Sequence, residues 1–491
     1  MAIDHDLLSI QEARDLADAA YQAQLIWKHA TQEEVDRVCA AMADAAYAAS
    51  AQLGQMAHDE TGYGIPEHKK MKNELGSRIV WESIKDIKTV GVIHHDPARK
   101  LYDIAWPVGV IAALVPSTNP TSTAMYKCIS AVKARDAIVV APHPSAAHCT
   151  YETVRIMADA AEKAGAPKNL MACLQRISLP GTQELMEHKH VRLILATGGS
   201  AMVKAAHSVG KPAYGVGPGN VPVYVDRSAD LDKAAKYIIN SKSFDCSTIC
   251  ASEQAIVADK PIAVELKKRM KAQGAYFANE EQAERLRMLL FHPNGAINAA
   301  TVGKPAQTVA GMAGFSIPQS ARVIVTPLQI TGKDEPLSRE KLTTVIGWYE
   351  EEGWEAGCER CIDLIMFGGR GHSLVIHATN EDVIMAFGLE KPVFRVLVNT
   401  MGTLGAVGLT TGVMPSMTLG AGGEGGSITG DNVNVHHLYN VKRLAYETTP
   451  PPQAILRGPT PQASAAASDN TQDIEALVKQ VLQELIKQGK L

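Results

Sequence analysis

The hydrophobic positions change period along the chain. Over residues 8 to 57, Ala, Leu and Met recur between charged positions at the spacing of a helical turn, which predicts two amphipathic helices. From 89 to 115 the pattern becomes β-branched and alternating: VGVIHH, then DPAR as a turn, then KLYDIAWPVGVIAALVP. This predicts a long hairpin running into a buried strand. Further on, the strand-like runs AIVVAP, LILAT, VPVYVD, QAIVAD, ARVIVTP, HSLVIHA and RVLVNT alternate with Ala-rich helical stretches. Such alternation marks βαβ units, so the fold class is α/β with mostly parallel, doubly wound sheets.

The pattern breaks at the far end. TTPPPQAILRGPTPQASAAASDNTQ, 448–472, has almost nothing to bury and reads as a disordered linker. Beyond it, Ile474, Leu477, Val478, Val481, Leu482 and Leu485 form one apolar stripe within a helix expected over 473–491. Asn470 or Thr471 caps its start, Asp473 and Glu475 sit in the first turn, and Lys487 with Gly489 marks the end. A lone helix of about 15 residues is marginal in water, so this one is expected to dock on something.

Composition narrows the classes of function. A chain of 491 residues, 46% hydrophobic and 20% charged, exceeds one core and should form two or more α/β-sized units. A formal net charge of -4 lacks the basic footprint of a nucleic-acid binder. No apolar run approaches the roughly 18 to 20 residues of a membrane helix. MAIDHDLLSI lacks the basic segment and long apolar run of a secretory signal, so a cytoplasmic protein is expected. A cytosol would keep the eight cysteines reduced. Cys358 and Cys361 form the one Cys-x-x-Cys and lack further ligands at zinc spacing, so no metal is expected.

Three loops carry candidate chemistry. In VPSTNPTSTAMYKC, 115–128, Asn119 precedes Pro120 at the end of a predicted strand and is expected to be extended, its amide pointing off the strand end. In LILATGGSAMVKAA, 193–206, glycines lie between strand and helix, where backbone N–H groups meet phosphate and Ser200 can cap the helix or bind phosphate itself. In KSFDCSTICASEQ, 242–254, Cys246 and Cys250 would share a face of a helix. Two cysteines are too few for a metal site, and either is a candidate nucleophile or a buried small hydrophobe.

PSTNPTSTAMYK, ATGGSAMVKAAHSVGKPAYGVGPGN, SFDCSTICASEQ, EPLSREKL, GGRGHS and PSMTLGAGGEGGS follow one another in an order that resembles the aldehyde dehydrogenase superfamily. Within it the chain is most similar to the CoA-acylating branch, including the aldehyde half of the bifunctional aldehyde-alcohol dehydrogenases, over about residues 10 to 445. The resemblance implies a Rossmann-like NAD-binding domain over 1–240, a catalytic domain over 241–432 and an oligomerisation tail over 433–447. The hairpin at about 89–106 and the tail resemble the family's dimerisation elements, so a homo-oligomer, dimer or tetramer, is implied. By motif, Cys250 matches the nucleophile, Asn119 the oxyanion donor, and His372 a histidine near the active site. Gly198, Gly199, Ser200, Pro116, Ser117, His143 and Gly217 match cofactor-binding positions, and Glu340 matches the acid that hydrogen-bonds the nicotinamide ribose.

One departure is informative. Where hydrolytic members carry a Glu-Leu-Gly-Gly motif, whose glutamate is the base for water, this chain has Gly215-Val216-Gly217-Pro218. The resemblance therefore implies NAD as cofactor and coenzyme A as acyl acceptor, with a short aldehyde as substrate, acetaldehyde first and propionaldehyde second. His143 stands where hydrolytic members have a lysine near the adenosine ribose, which leaves NAD against NADP open. The linker and terminal helix are similar to encapsulation peptides, implying a place in the lumen of a bacterial microcompartment, docked on shell or other cargo. The rival expectations are a hydrolytic aldehyde dehydrogenase and, from another class, a non-catalytic microcompartment scaffold.

Overall fold

Three helices, rather than the expected two, fill the N-terminal stretch: α1 (His5–Trp27), α2 (Gln32–Ala48) and α3 (Ser50–Thr61). The additional break is at Ala49, where φ -85° and ψ 0° interrupt the helix without Pro or Gly, so the Ala-rich periodicity runs through it unmarked. α2 starts on a capping box in which Thr31 and Glu34 satisfy each other's backbone N–H. α4 (Pro66–Glu74) opens on Pro66, whose missing N–H costs nothing in the first turn, and runs into a π-helical turn, Leu75–Ile79.

This is a computed structural model, and it describes residues 4–452, 455 and 471–487. Most of the linker expected at 448–472, and with it Asn470, lies outside the described residues, as does Gly489. The chain divides into two compact units, Met1–Ile93 with Asp103–Lys442, and His94–Tyr102 with Arg443–Leu491. In the second unit His95 stacks on Tyr102 at 4.0 Å, and the helix Thr471–Lys487 exposes Ile474, Leu477, Val478, Val481 and Leu482. Among the described residues no helix is long and apolar enough to cross a membrane.

The expected hairpin is β1 (Val92–Asp96) and β2 (Leu101–Pro107), leading to β3 (Val110–Val115), whose six residues are all buried. Two parallel sheets follow. The first joins β3 to β4 (Ala137–Pro142), β5 (Met171–Cys173), β6 (Val191–Thr197) and β7 (Ala213–Val216) in the order β5-β4-β3-β6-β7. β3 is first in the chain but central in the sheet, with β4 on one side and β6 on the other. The strand order therefore reverses beside β3, and the crevice beyond the carboxyl ends there is where such sheets bind ligands.

The second sheet contains β8 (Val221–Val225), β9 (Glu253–Asp259), β10 (Ala275–Phe277), β11 (Val323–Pro327), β12 (Val345–Glu351), β13 (Leu374–His377) and β14 (Val396–Val398). Its order is β10-β11-β12-β9-β8-β13-β14. The two sheets part between Val216 and Val221. A last strand, β15 (Tyr439–Ala445), completes a three-stranded sheet of order β1-β2-β15.

Candidate active site

A cavity of about 250 Å³ opens at the carboxyl ends of four strands of the first sheet. Pro116, Ser117 and Asn119 follow β3, His143 follows β4, Gly198 and Gly199 follow β6, and Gly217 follows β7; all of them line it. Cys250 and Glu340 complete the wall. Of the site residues expected from the sequence, Ser200 and His372 do not line this cavity.

The stretch holding the two cysteines is not a regular helix. Asp245, Cys246 and Ser247 have φ of 46°, 51° and 68°, three successive left-handed residues that each cost about 1 to 3 kcal/mol. Side-chain contacts hold the strained turn in place. The Asp245 carboxylate accepts the Ile65 N–H at 2.7 Å, the Thr248 hydroxyl at 2.7 Å and the Lys69 ammonium at 3.2 Å, and it is also paired with Lys72. Gly64, at φ 70°, packs so closely on this carboxylate that a Cβ there would overlap it. The turn separates the cysteines: Cys246 is 2% exposed and away from the cavity, whereas Cys250 is half-buried and on its wall.

Burial first and Glu340 second push the Cys250 thiol up to about 12, against the opposing pull of Arg395 and Lys72. Cys246 is likewise pushed up to about 12, by burial and then by Asp245. Gly219 sits against the nucleophile loop, where a Cβ would overlap the Cys250 carbonyl, so only glycine fits. Its N–H donates to Glu340 Oε1 at 2.9 Å.

Asn119 has φ -137° and ψ 55°, so its ψ departs from the extended value expected before proline. It is the N-cap residue of the helix Pro120–Lys133, yet its side chain makes no capping bond. The amide is engaged elsewhere. Oδ1 accepts from Lys72 Nζ at 2.6 Å, and Nδ2 donates to Thr118 Oγ1 at 3.2 Å.

The glycine turn suits a dinucleotide pyrophosphate. An added Cβ at Gly199 or Gly217 would meet nothing within 4 Å, and the helix Ser200–Ser208 begins at Gly199 without a side-chain cap, leaving its first N–H groups for a ligand. Ser200 corrects the expectation of a capping hydroxyl: the N-cap is Gly199, and Ser200 is the exposed first residue of the helix. His372 lies behind the wall, its ring Cε1 3.3 Å from the Cβ position of Gly219. Burial and then Arg395 push its imidazole down to about 3, so it is neutral, with Nδ1 3.1 Å from the Ser373 hydroxyl. His143 Nδ1 accepts the Ser145 N–H at 3.1 Å.

Residues 6–284 match the model of the aldehyde dehydrogenase family. The chain belongs to the aldehyde dehydrogenase family. It is 41% identical over 409 residues to an aldehyde-alcohol dehydrogenase of Streptococcus pneumoniae, a match covering 82% of this chain and 46% of that protein. The chain thus spans about half the length of the curated aldehyde-alcohol dehydrogenases it matches. An acetylating aldehyde dehydrogenase from Geobacillus thermoglucosidasius superposes with a TM-score of 0.90 at 48% identity, covering 92% of this chain and 99% of that one. A propionaldehyde dehydrogenase from the fucose-utilisation bacterial microcompartment of Clostridium phytofermentans superposes with a TM-score of 0.80 at 29% identity, covering 88% and 96%. The α/β fold with parallel sheets expected from the sequence is the fold of this chain.

The structure adds groups that the motifs did not single out. Lys69 and Lys72 lie in the charge-rich stretch PEHKKMKNE, yet both residues are buried, 2% and 4% exposed. Buried lysines need partners from elsewhere, and theirs, Thr118, Asn119 and Asp245, are distant in sequence. Tyr63, Ile249, Val407 and Met417 add apolar surface to the cavity wall.

Proposed function

We propose that this aldehyde dehydrogenase oxidises a short apolar aldehyde and delivers the acyl group to coenzyme A. One observation carries the reading: Cys250, Asn119 and Glu340 share a cavity whose wall at Val216-Gly217-Pro218 is built without the glutamate that serves hydrolytic members. The Cys250 thiol releases its proton to solvent, and the thiolate adds to the aldehyde carbonyl carbon to form a thiohemiacetal oxyanion. An Asn119 amide N–H donates to the oxygen as charge develops there; losing one such donor typically costs about 10² to 10³ in rate. Glu340 together with the Gly198-Gly199 turn would hold NAD, which would supply the acceptor for the hydride of the thiohemiacetal carbon. Cys250 then carries the acyl group as a thioester.

The thioester persists because water has no positioned base, a deficit worth about 10² to 10⁴ in rate. A thiol needs less help, since it is partly ionised near neutral pH. Coenzyme A therefore attacks the acyl carbon, the Cys250 sulfur leaves, and NADH departs before coenzyme A enters. Beside the cavity lies an apolar recess of about 10 Å³ that shares Ile249, Val407 and Met417 with it and adds Leu75, Phe244 and Leu404. The apolar side chains on this wall suit a short aldehyde, acetaldehyde first and propionaldehyde second.

The encapsulated location is part of the same proposal. The exposed apolar stripe of Thr471–Lys487 has the i, i+3, i+4 spacing used in helix-in-groove docking, here on a microcompartment shell or other cargo. NADH formation measured across C2 to C4 aldehydes, with and without coenzyme A, tests the chemistry. The expected result is sustained turnover with coenzyme A and about one NADH per subunit without it. Comparable sustained rates without coenzyme A would instead identify a hydrolytic enzyme.

A further inference from the structure

Lys72 is an expensive residue to bury and has no role in the reaction as described so far. Its side chain is 4% exposed, and its ammonium donates to Asn119 Oδ1 at 2.6 Å, to Thr248 Oγ1 at 3.1 Å and to the Asp245 carboxylate. An ammonium has donors and no acceptor, so the Asn119 atom facing it must be the carbonyl oxygen, which fixes the amide against flipping. Nδ2 then lies on the opposite side. One of its protons is directed to Thr118 Oγ1, the other has no protein acceptor among the described hydrogen bonds, and Asn119 lines the cavity.

We propose that Lys72 is a positioning residue for the reaction, its ammonium locking the Asn119 amide so that one N–H faces the carbonyl oxygen of the bound aldehyde. The proposal rests on the reading of Asn119 as oxyanion donor. Asp245 anchors the ammonium, and Lys69, 3.2 Å from the same carboxylate and 3.3 Å from the Thr118 carbonyl, ties the anchor to the Asn119 loop. The strained turn thus links the donor to the segment that carries the nucleophile. Burial pulls the Lys72 ammonium down to about 8, with Asp245 opposing, which leaves it mostly charged at neutral pH. A cation on the amide oxygen also draws electron density from the nitrogen and strengthens the remaining N–H as a donor.

A mutant cycle on the full chain tests this, read as the rate of the NADH burst in single turnovers with acetaldehyde. Lys72→Met should slow the burst about 10- to 100-fold, with KM for NAD and aldehyde within about twofold. In an Asn119→Ala background the same change should cost less than about threefold, because the group Lys72 positions is gone. Equal fold-losses in both backgrounds would overturn the proposal while leaving Asn119 as the donor. An Asn119→Ala enzyme with an unchanged burst would remove the oxyanion reading itself, and the proposal with it. Lys72→Met leaves the buried Asp245 carboxylate with Lys69 as its one cation, so should that variant fail to fold, the cycle is run on Lys72→Gln, whose amide N–H can still donate to Asp245. The same two outcomes then decide.

Discussion

Glu340 Oε1 accepts the Gly219 N–H at 2.9 Å, so the acid assigned to the cofactor ribose also holds the loop that abuts the nucleophile. Gly219 in turn lies against the Cys250 carbonyl. In the proposed reaction the carboxylate would therefore act on two components: it would bind the cofactor, and its charge opposes ionisation of the Cys250 thiol, adding to the larger effect of burial. Glu340→Gln keeps an oxygen for the Gly219 N–H and removes the charge. KM for NAD should rise about tenfold, the worth of one charge-assisted hydrogen bond. Alkylation of Cys250 in the cofactor-free enzyme should become faster at fixed pH, because a negative charge near the thiolate is gone. An alkylation rate that falls would contradict this electrostatic assignment.

Cys250 and Cys246 should part company in a pair of substitutions. Cys250→Ser should lower NADH formation by at least about 10³-fold, whereas Cys246→Ser should leave kcat within a few-fold. The reverse result would place the thioester on the wrong sulfur. Because the Cys250 thiol is pushed up to about 12 and the thiolate is the reacting form, its iodoacetamide inactivation should rise nearly tenfold per pH unit between about pH 6 and pH 9. A plateau below about pH 8 would mean that the thiol is already ionised at neutrality.

Gly219→Ala tests the close approach. The added Cβ has no room beside the Cys250 carbonyl, so the nucleophile loop has to move. A shift of about 1 Å in a reacting group costs on the order of 10²-fold. The expected variant folds, binds NAD and loses about that factor in kcat, with intact NAD binding measured by fluorescence titration as the control. Wild-type turnover would show that the loops at Gly219 and Cys250 can part without consequence.

How legible this protein was depended on the range of each interaction. β4 matches the run AIVVAP residue for residue, since an apolar strand covered on both faces is a local signal. β5 and β10, three residues each, were too short to register, and in β12 Gly347 interrupts the apolar run. The irregular path of the nucleophile loop is not legible in the sequence because the left-handed φ of Asp245, Cys246 and Ser247 is held by contacts with Ile65, Lys69 and Lys72, far away in sequence. Asn119, Cys250 and Glu340 on the cavity came from motifs, whereas Lys72, like Tyr63 and Val407, had no motif to mark it. Its function depends on burial, and burial is a property of the assembled chain.

The C-terminal segment should be separable from catalysis. The residues that line the cavity lie between Tyr63 and Leu419, and among the described residues of the terminal helix the apolar stripe is exposed, with Ile474 and Leu477 each 64% accessible. Deleting 450–491 should therefore leave kcat and KM nearly unchanged in the purified protein. In a compartment-forming cell the same deletion should turn a punctate distribution diffuse and abolish co-purification with shells. A narrower change separates the helix from the linker: Leu477→Glu with Val481→Glu keeps the length and helix propensity but puts charge on the docking face, where each buried apolar side chain is worth about 1.5 to 3 kcal/mol. That double variant should lose shell association as fully as the deletion does. Association retained by both would mean that the helix is not the targeting element, and association lost only on deletion would assign the role to the linker instead.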